Sequence, residues 1–233
     1  MKYDVILFDA DGTLLDFKRS EYEAVKEMFN LFDIYPDDQM ISKYSEINDN
    51  LWKALERGEI EKQVLLYHRF ELFCDYYGFK RDARKMAESY MMHLSTKSYI
   101  IDGADKLCQG LFGKVKMYIV TNGVEFIQKG RLSTCPITKY FDDVFISGVI
   151  GFEKPDIRYF ECVQNDIGFD KSSTLIVGDS LTSDIKGGIN FSIDTCWYNP
   201  KNKDVPKEMD ITYNARSFDE IYKIITDESE NLI

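Results

Sequence analysis

Five short runs of β-branched and aromatic residues, at 3–8, 116–121, 144–147, 174–178 and 193–198, constrain this chain more than any other feature. They are almost continuously apolar, which suits parallel strands buried on both faces and not the alternating strands of a half-exposed sheet. Helical periodicity lies between the later runs, at 104–112, 124–132, 155–167 and 183–190. Strand and helix alternate, so the expected fold class is α/β, a doubly wound and mostly parallel sheet.

The interval 17–96 breaks that rhythm. It has no convincing strand but four helical stretches, near 20–32, 37–57, 62–77 and 80–96. Ser20 with Glu23 reads as a capping box, Pro36-Asp37 as a helix start, and Gly58 and Gly78 as the residues that close two helices. The expected organisation is therefore a core domain of residues 1–16 and 97–233 with an α-helical cap, 17–96, inserted after the first strand. The polar end of the chain after about 227 is expected to fray.

Ligands of doubly wound sheets bind beyond the carboxyl ends of the strands, so the residues directly after each run matter most. The first run hands over to Asp9-Ala10-Asp11-Gly12-Thr13, the second to Thr121-Asn122-Gly123, and the fourth to Gly178-Asp179-Ser180 with Asp184 close behind; Lys154-Pro155 lies between the last two. Any one of these is an ordinary strand-to-helix turn. Four of them would converge on one rim. Asp9, Asp179 and Asp184, with Asp11 beside them, cannot all stay ionised without a compensating cation. Mg²⁺ prefers such hard oxygen ligands and shares phosphate oxygens readily. Lys154 adds one more positive charge, and Pro155 after it reads as the first residue of a helix, where a lysine opposes the helix dipole unless an anion is present.

That local positive feature is needed because the whole chain carries a formal charge of −11, which argues against a nucleic-acid polymer or a membrane surface as partner. No apolar run is long enough for a signal peptide or a membrane span. Five cysteines without C-x-x-C spacing read as buried, reduced thiols. A cytoplasmic location is the resulting expectation.

Taken together, Asp9-x-Asp11-Gly12-Thr13, Thr121-Asn122, Lys154-Pro155 and Gly178-Asp179-x4-Asp184 resemble the four signature motifs of the haloacid dehalogenase (HAD) superfamily over nearly the whole chain. The resemblance implies a HAD-like, Rossmann-type core with the insertion at the C1 cap position, and it implies roles. Asp9 would be the nucleophile that forms an aspartyl-phosphate and also a ligand of Mg²⁺. Asp11 would offer its backbone carbonyl to the metal and act as general acid, then base. Thr121, with the backbone N–H groups of Asn122 and Gly123, would hold the phosphoryl oxygens. Lys154 would steady the transition state, Asp179 would ligate the metal, and Asp184 would bond a metal-bound water or Lys154. Asp11 favours phosphate esters over halide removal, since the dehalogenase branch lacks an acid there.

A narrower resemblance is to the YjjG-type pyrimidine 5′-nucleotidases. It rests on alanine between Asp9 and Asp11, on Leu51-Trp52, Gly58-Glu59-Ile60 and Arg69-Phe70 in the cap, and on Asp184-Ile185-x-Gly187-Gly188. Asp102 and the Phe191-Ser192 pair depart from that pattern. The resemblance implies a small phosphorylated metabolite as partner, a nucleoside monophosphate, for a monomer or homodimer. Trp52 could then stack on the base and Asn48 and Asn50 bond its edge, although an aromatic on a helix is more often core. His68 and His93 read as structural. A phosphatase for a sugar phosphate or phosphoglycolate, a sugar-phosphate mutase, and a catalytically silent binding protein on the same fold stay open.

Overall fold

A computed structural model describes residues 1–227; the tail expected to fray lies outside these described residues. Strands β1 (Val5–Phe8), β2 (Lys116–Thr121), β3 (Asp143–Ile146), β4 (Thr174–Gly178), β5 (Asp194–Tyr198) and β6 (Tyr213–Ala215) form one parallel sheet in the order β3-β2-β1-β4-β5-β6. Between β1 and β2 run helices α1 (Phe17–Leu31), α2 (Asp38–Glu56), α3 (Lys62–Tyr77), α4 (Ala83–Leu94) and α5 (Ala104–Leu111). Beyond β2 come α6 (Glu125–Ser133), α7 (Ser147–Ile150), α8 (Ile157–Ile167), α9 (Lys186–Phe191) and α10 (Phe218–Thr226).

The apolar runs became strands for the reason that their composition suggests. β4 is buried at every position, and Leu7, Val120 and Ile176 from three neighbouring strands share one core with Tyr159, Phe160 and Val163 of α8. Helix α9 comes close to this layer because Gly187 has no side chain: a Cβ there would lie 2.6 Å from the Phe160 ring. β1 lies between β2 and β4, where the direction of winding reverses. The crevice beyond their carboxyl ends is where such sheets hold ligands. Phe8 is level with Ile119 and Val177, so the next residue, Asp9, is the first beyond the sheet.

The chain forms two compact units. One comprises Met1–Asp16, Ile100–Glu125 and the chain from Cys135 on; the other comprises Phe17–Tyr99 together with Phe126–Thr134. The second is helical around a cluster of rings, in which Phe29 stacks on Phe73 and Tyr44 on Phe70 with centroids 4.4 and 5.3 Å apart. Asp37 and Asp82 cap α2 and α4 through their side chains, and Gly78 ends α3 with φ 72°. Most of α6 packs with these inserted helices, which its place in the sequence does not suggest.

Several local expectations are corrected. Helix α1 begins at Phe17, so Ser20 is buried within it and makes no capping box. Glu23 instead accepts from Arg19 and from the Tyr99 hydroxyl. Pro155 does not open a helix; Asp156 caps α8 by accepting from the Arg158 N–H. The helix expected at 183–190 is a π turn, Leu181–Ile185, followed by α9. All five cysteines are free thiols, but Cys162 is exposed. Strand β6 and helices α7 and α10 add to the elements expected. The sequence does carry a signal for α10, since Ser217 accepts from the Glu220 N–H while Glu220 accepts from the Arg216 N–H. No helix among the described residues is long and apolar enough to cross a membrane.

The helical unit also holds a buried polar chain. Glu21 accepts from Ser45 Oγ and Asn48 Nδ2, each at 2.7 Å, and Asn48 Oδ1 accepts from Arg69 Nη1 at 2.9 Å. Burial pushes the Glu21 carboxyl up from 4.5 to about 6; Asp49 adds to this, and Ser45, Arg69 and Asn48 oppose it. The folded pKa lies above the unfolded one, so folding favours the protonated form. The cost of ionising Glu21 is absent below pH 4.5 and complete above about pH 6, where it reaches about 2 kcal/mol. We predict that the stability difference between Glu21→Gln and the parent moves by about this amount in the variant's favour between pH 4.5 and 7.5 in urea unfolding. A difference that does not change with pH would contradict it.

Candidate active site

The turn after β1 is built to carry two aspartates. Leu14 N and Leu15 N both donate to Ala10 O, Gly12 N donates to Leu15 O at 2.9 Å, and Leu15 bridges to Ile100. Gly12 has φ 91°, and a Cβ there would lie 2.6 Å from an Asp179 carboxylate oxygen, so two independent constraints demand glycine. At the end of β4 a Cβ on Gly178 would lie 2.3 Å from the Asp184 carboxylate. Glycines at two strand ends thus give two carboxylates room to approach.

Lys154 joins these segments. It is 1% exposed, and its Nζ donates to Asp9 Oδ1 at 2.8 Å, Asp184 Oδ1 at 2.6 Å and the Val120 carbonyl at 2.6 Å, so all three ammonium protons are used. Its backbone is fixed as well. Asn122 Nδ2 donates to Lys154 O, and Lys154 N donates to Asn122 Oδ1, both at 2.8 Å. The Asn122 side chain therefore positions Lys154, a role that its place in the motif does not suggest. Lys154 matters because it is buried between carboxylates and not because of a helix dipole.

Asp9, Asp179 and Asp184 bring one carboxylate oxygen each within 4.8 Å of one another. Asp184 is 1% exposed; its second oxygen accepts from the Ser180 N–H at 3.1 Å. Asp9 is buried, with 7% of its surface open, and Asp179 is the member that faces solvent, its carbonyl accepting from Trp197 Nε1 at 2.9 Å. Sequence reasoning misses Trp197, although it lies level with Gly178 in the sheet. Thr121 is fully buried at the end of β2. The Gly123 N–H, expected to face a phosphoryl oxygen, donates instead to Ser147 Oγ at 3.0 Å.

The charges do not balance. Burial pushes the Asp9 carboxyl well up, as do Asp184 and Asp179, and Lys154 offsets this only in part. Although Asp179 as a residue faces solvent, its carboxylate packs against Gly12, and desolvation there together with Asp184 pushes it up to about 7, with Lys154 opposing and Asp11 adding to the rise. Burial lowers the Lys154 ammonium, but Asp184 and Asp9 outweigh it and hold the lysine charged. Three carboxylates against one ammonium leave two negative charges, which a divalent cation with a preference for hard oxygen donors would neutralise. The donor set fits Mg²⁺.

In the helical unit, Asn48 has both polar ends committed to Glu21 and Arg69 and is not available to a ligand. Trp52 is half-buried and Asn50 exposed. His68 pairs with Glu71 and His93 with Glu27.

The family described as haloacid dehalogenase-like hydrolase matches residues 6–198. A solved structure of the Bacillus subtilis protein classed as HAD-hydrolase YfnB, bound to magnesium and described as revealing interdomain movement, matches with a TM-score of 0.92. It is 38% identical and covers 97% of this chain and 99% of that one. Pyrimidine 5′-nucleotidase PynA of Streptococcus pneumoniae is 36% identical over 223 residues, 95% of this chain and 94% of its own. Pyrimidine 5′-nucleotidase YjjG of Escherichia coli is 30% identical over 226 residues, 97% of this chain and 99% of its own.

Replacing Lys154 would leave buried carboxylates without their cation. Lys154→Met is predicted to lose about 3–5 kcal/mol of stability in the presence of a chelator, measured by denaturant unfolding. Unchanged stability would mean that protons, and not Lys154, balance the cluster.

Proposed function

The chain belongs to the haloacid dehalogenase-like hydrolase family, and from that premise we propose that it is a Mg²⁺-dependent phosphomonoesterase acting on pyrimidine nucleoside 5′-monophosphates. The observation that carries this reading is the Asp9 carboxylate, held at 2.8 Å by a buried lysine inside a cluster two positive charges short of balance. The substrate class rests on PynA and YjjG, which are named as pyrimidine 5′-nucleotidases.

Asp9 attacks phosphorus, and the bond to the nucleoside 5′ oxygen breaks as an aspartyl-phosphate forms. Asp11 gives its proton to the departing alkoxide. It then takes a proton from the water that attacks the same phosphorus and returns Asp9 as a carboxylate. Lys154 keeps Asp9 oriented and stabilises the charge that spreads over the phosphoryl oxygens. Thr121 and the Asn122 N–H hold those oxygens; Gly123, tied to Ser147, shapes the loop. Asp9, Asp179 and the Asp11 carbonyl would hold Mg²⁺, which would supply positive charge beside the phosphoryl group, while Asp184 acts through Lys154. On this reading residues 17–96 are the C1 cap domain inserted into the core.

In a panel of nucleoside monophosphates, phosphate release is predicted to be greatest with pyrimidines, to stop on addition of EDTA and to be absent for Asp9→Asn. Asp11→Asn should lower kcat about 10²–10⁴-fold. Release that survives both EDTA and Asp9→Asn would reject the reading, and an isomerised phosphate ester as product would mark a mutase.

A further inference from the structure

Lys154 grips two of the three clustered carboxylates and not the third. Its ammonium protons go to Asp9, Asp184 and the Val120 carbonyl, which leaves none to donate to Asp179. Asp179 is also the member that faces solvent, and it lies one residue beyond Gly178, where the pairing of β4 with its neighbours ends. Neither the buried lysine nor the sheet ladder accounts for its position.

A side chain from the next strand does. Trp197 Nε1 donates to the Asp179 carbonyl at 2.9 Å. The indole that makes this bond is itself well held. It is 2% exposed, and the Trp197 backbone sits in the sheet level with Gly178 of β4 on one side and Asn214 of β6 on the other. Residues paired across neighbouring strands direct their side chains to the same face. A Cβ on Gly178 would lie 2.3 Å from the Asp184 carboxylate, so the Trp197 ring stands on the face of the sheet that Asp184 occupies. The strand fixes the ring, and the ring fixes the backbone of the exposed carboxylate.

Trp197 belongs to none of the sequence motifs that end in acidic residues. We propose that it is a positioning residue for metal binding, which holds the Asp179 main chain so that the carboxylate stays beside Asp9 and Asp184. This rests on the reading of that cluster as a Mg²⁺ site. Mg²⁺ demands near-ideal octahedral geometry, and its ligands depend on outer partners to keep them oriented. The indole N–H is a donor with no acceptor beside it, so phenylalanine in its place offers the Asp179 carbonyl nothing. Water then takes over that carbonyl, and the carboxylate is free to drift.

The test measures Mg²⁺ affinity by isothermal titration calorimetry, without substrate. Trp197→Phe is expected to weaken Mg²⁺ binding about 10-fold, the lower end of what loss of an outer partner costs. An analogue carrying benzothiophene in place of the Trp197 indole keeps the ring and removes only the N–H. It should show the same loss, and it carries the test if the phenylalanine variant does not fold. Leu107→Ala, a truncation at a buried position of α5, controls for general destabilisation and should bind Mg²⁺ as the parent does. Parent affinity in the benzothiophene analogue, or an equal loss in Leu107→Ala, would overturn the proposal. A parent that binds no Mg²⁺ would overturn it together with the metal site. A parent that binds Mg²⁺ but hydrolyses no phosphate ester would sink the phosphatase reading alone, and the 10-fold difference would still establish the role of Trp197.

Discussion

The site depends on one ammonium group buried among carboxylates. Lys154 reaches Asp9 from the end of β1, Asp184 from the turn after β4, and the last carbonyl but one of β2, so three strands are tied together beyond their carboxyl ends by a single side chain. Removing water from a charge of this kind is costly, and it is tolerated only because every proton has an acceptor. Yet Lys154 is not enough. Asp9 and Asp179 both stay shifted upward, which is the electrostatic signature of a site still short of positive charge. The cluster that crowds Asp9 against two other carboxylates is also what calls for a divalent cation.

Glycine is what makes that crowding possible. Gly12 and Gly178 each leave a gap that a carboxylate fills, one from Asp179 and one from Asp184. The sequence displays these as Asp-Gly and Gly-Asp pairs, ordinary in any turn. Only when the sheet brings β1 and β4 side by side do the two gaps fall within one crevice, each open to an aspartate from the segment after β4.

Much of this is legible in the sequence, for identifiable reasons. Strands such as 174–178 announce themselves because burial on both faces leaves no polar position, and the motif residues come next because strand ends are where such folds place ligands. The helical character of 17–96 is legible from the absence of apolar runs there. What the sequence hides depends on tertiary placement. Ser20 and Glu23 have the spacing of a capping box, but Phe17 starts the helix and leaves them inside it. Tyr213–Ala215 is too short and polar to read as a strand until β5 offers it hydrogen bonds. Asn122 reads as a loop residue with a useful N–H, whereas its side chain spans Lys154 on both sides. Arg131 has the place of a solvated charge on a helix and is fully buried.

The central step of the proposed reaction is the transfer of a phosphoryl group from substrate to Asp9. Rapid acid quenching during turnover of a nucleoside monophosphate carrying radiolabelled phosphate, followed by peptide mapping, measures this directly. Transient label is predicted on the peptide that contains Asp9, lost on treatment with hydroxylamine as an acyl phosphate should be, and appearing only when Mg²⁺ is present. Full turnover with no label on that peptide at any quench time would contradict it.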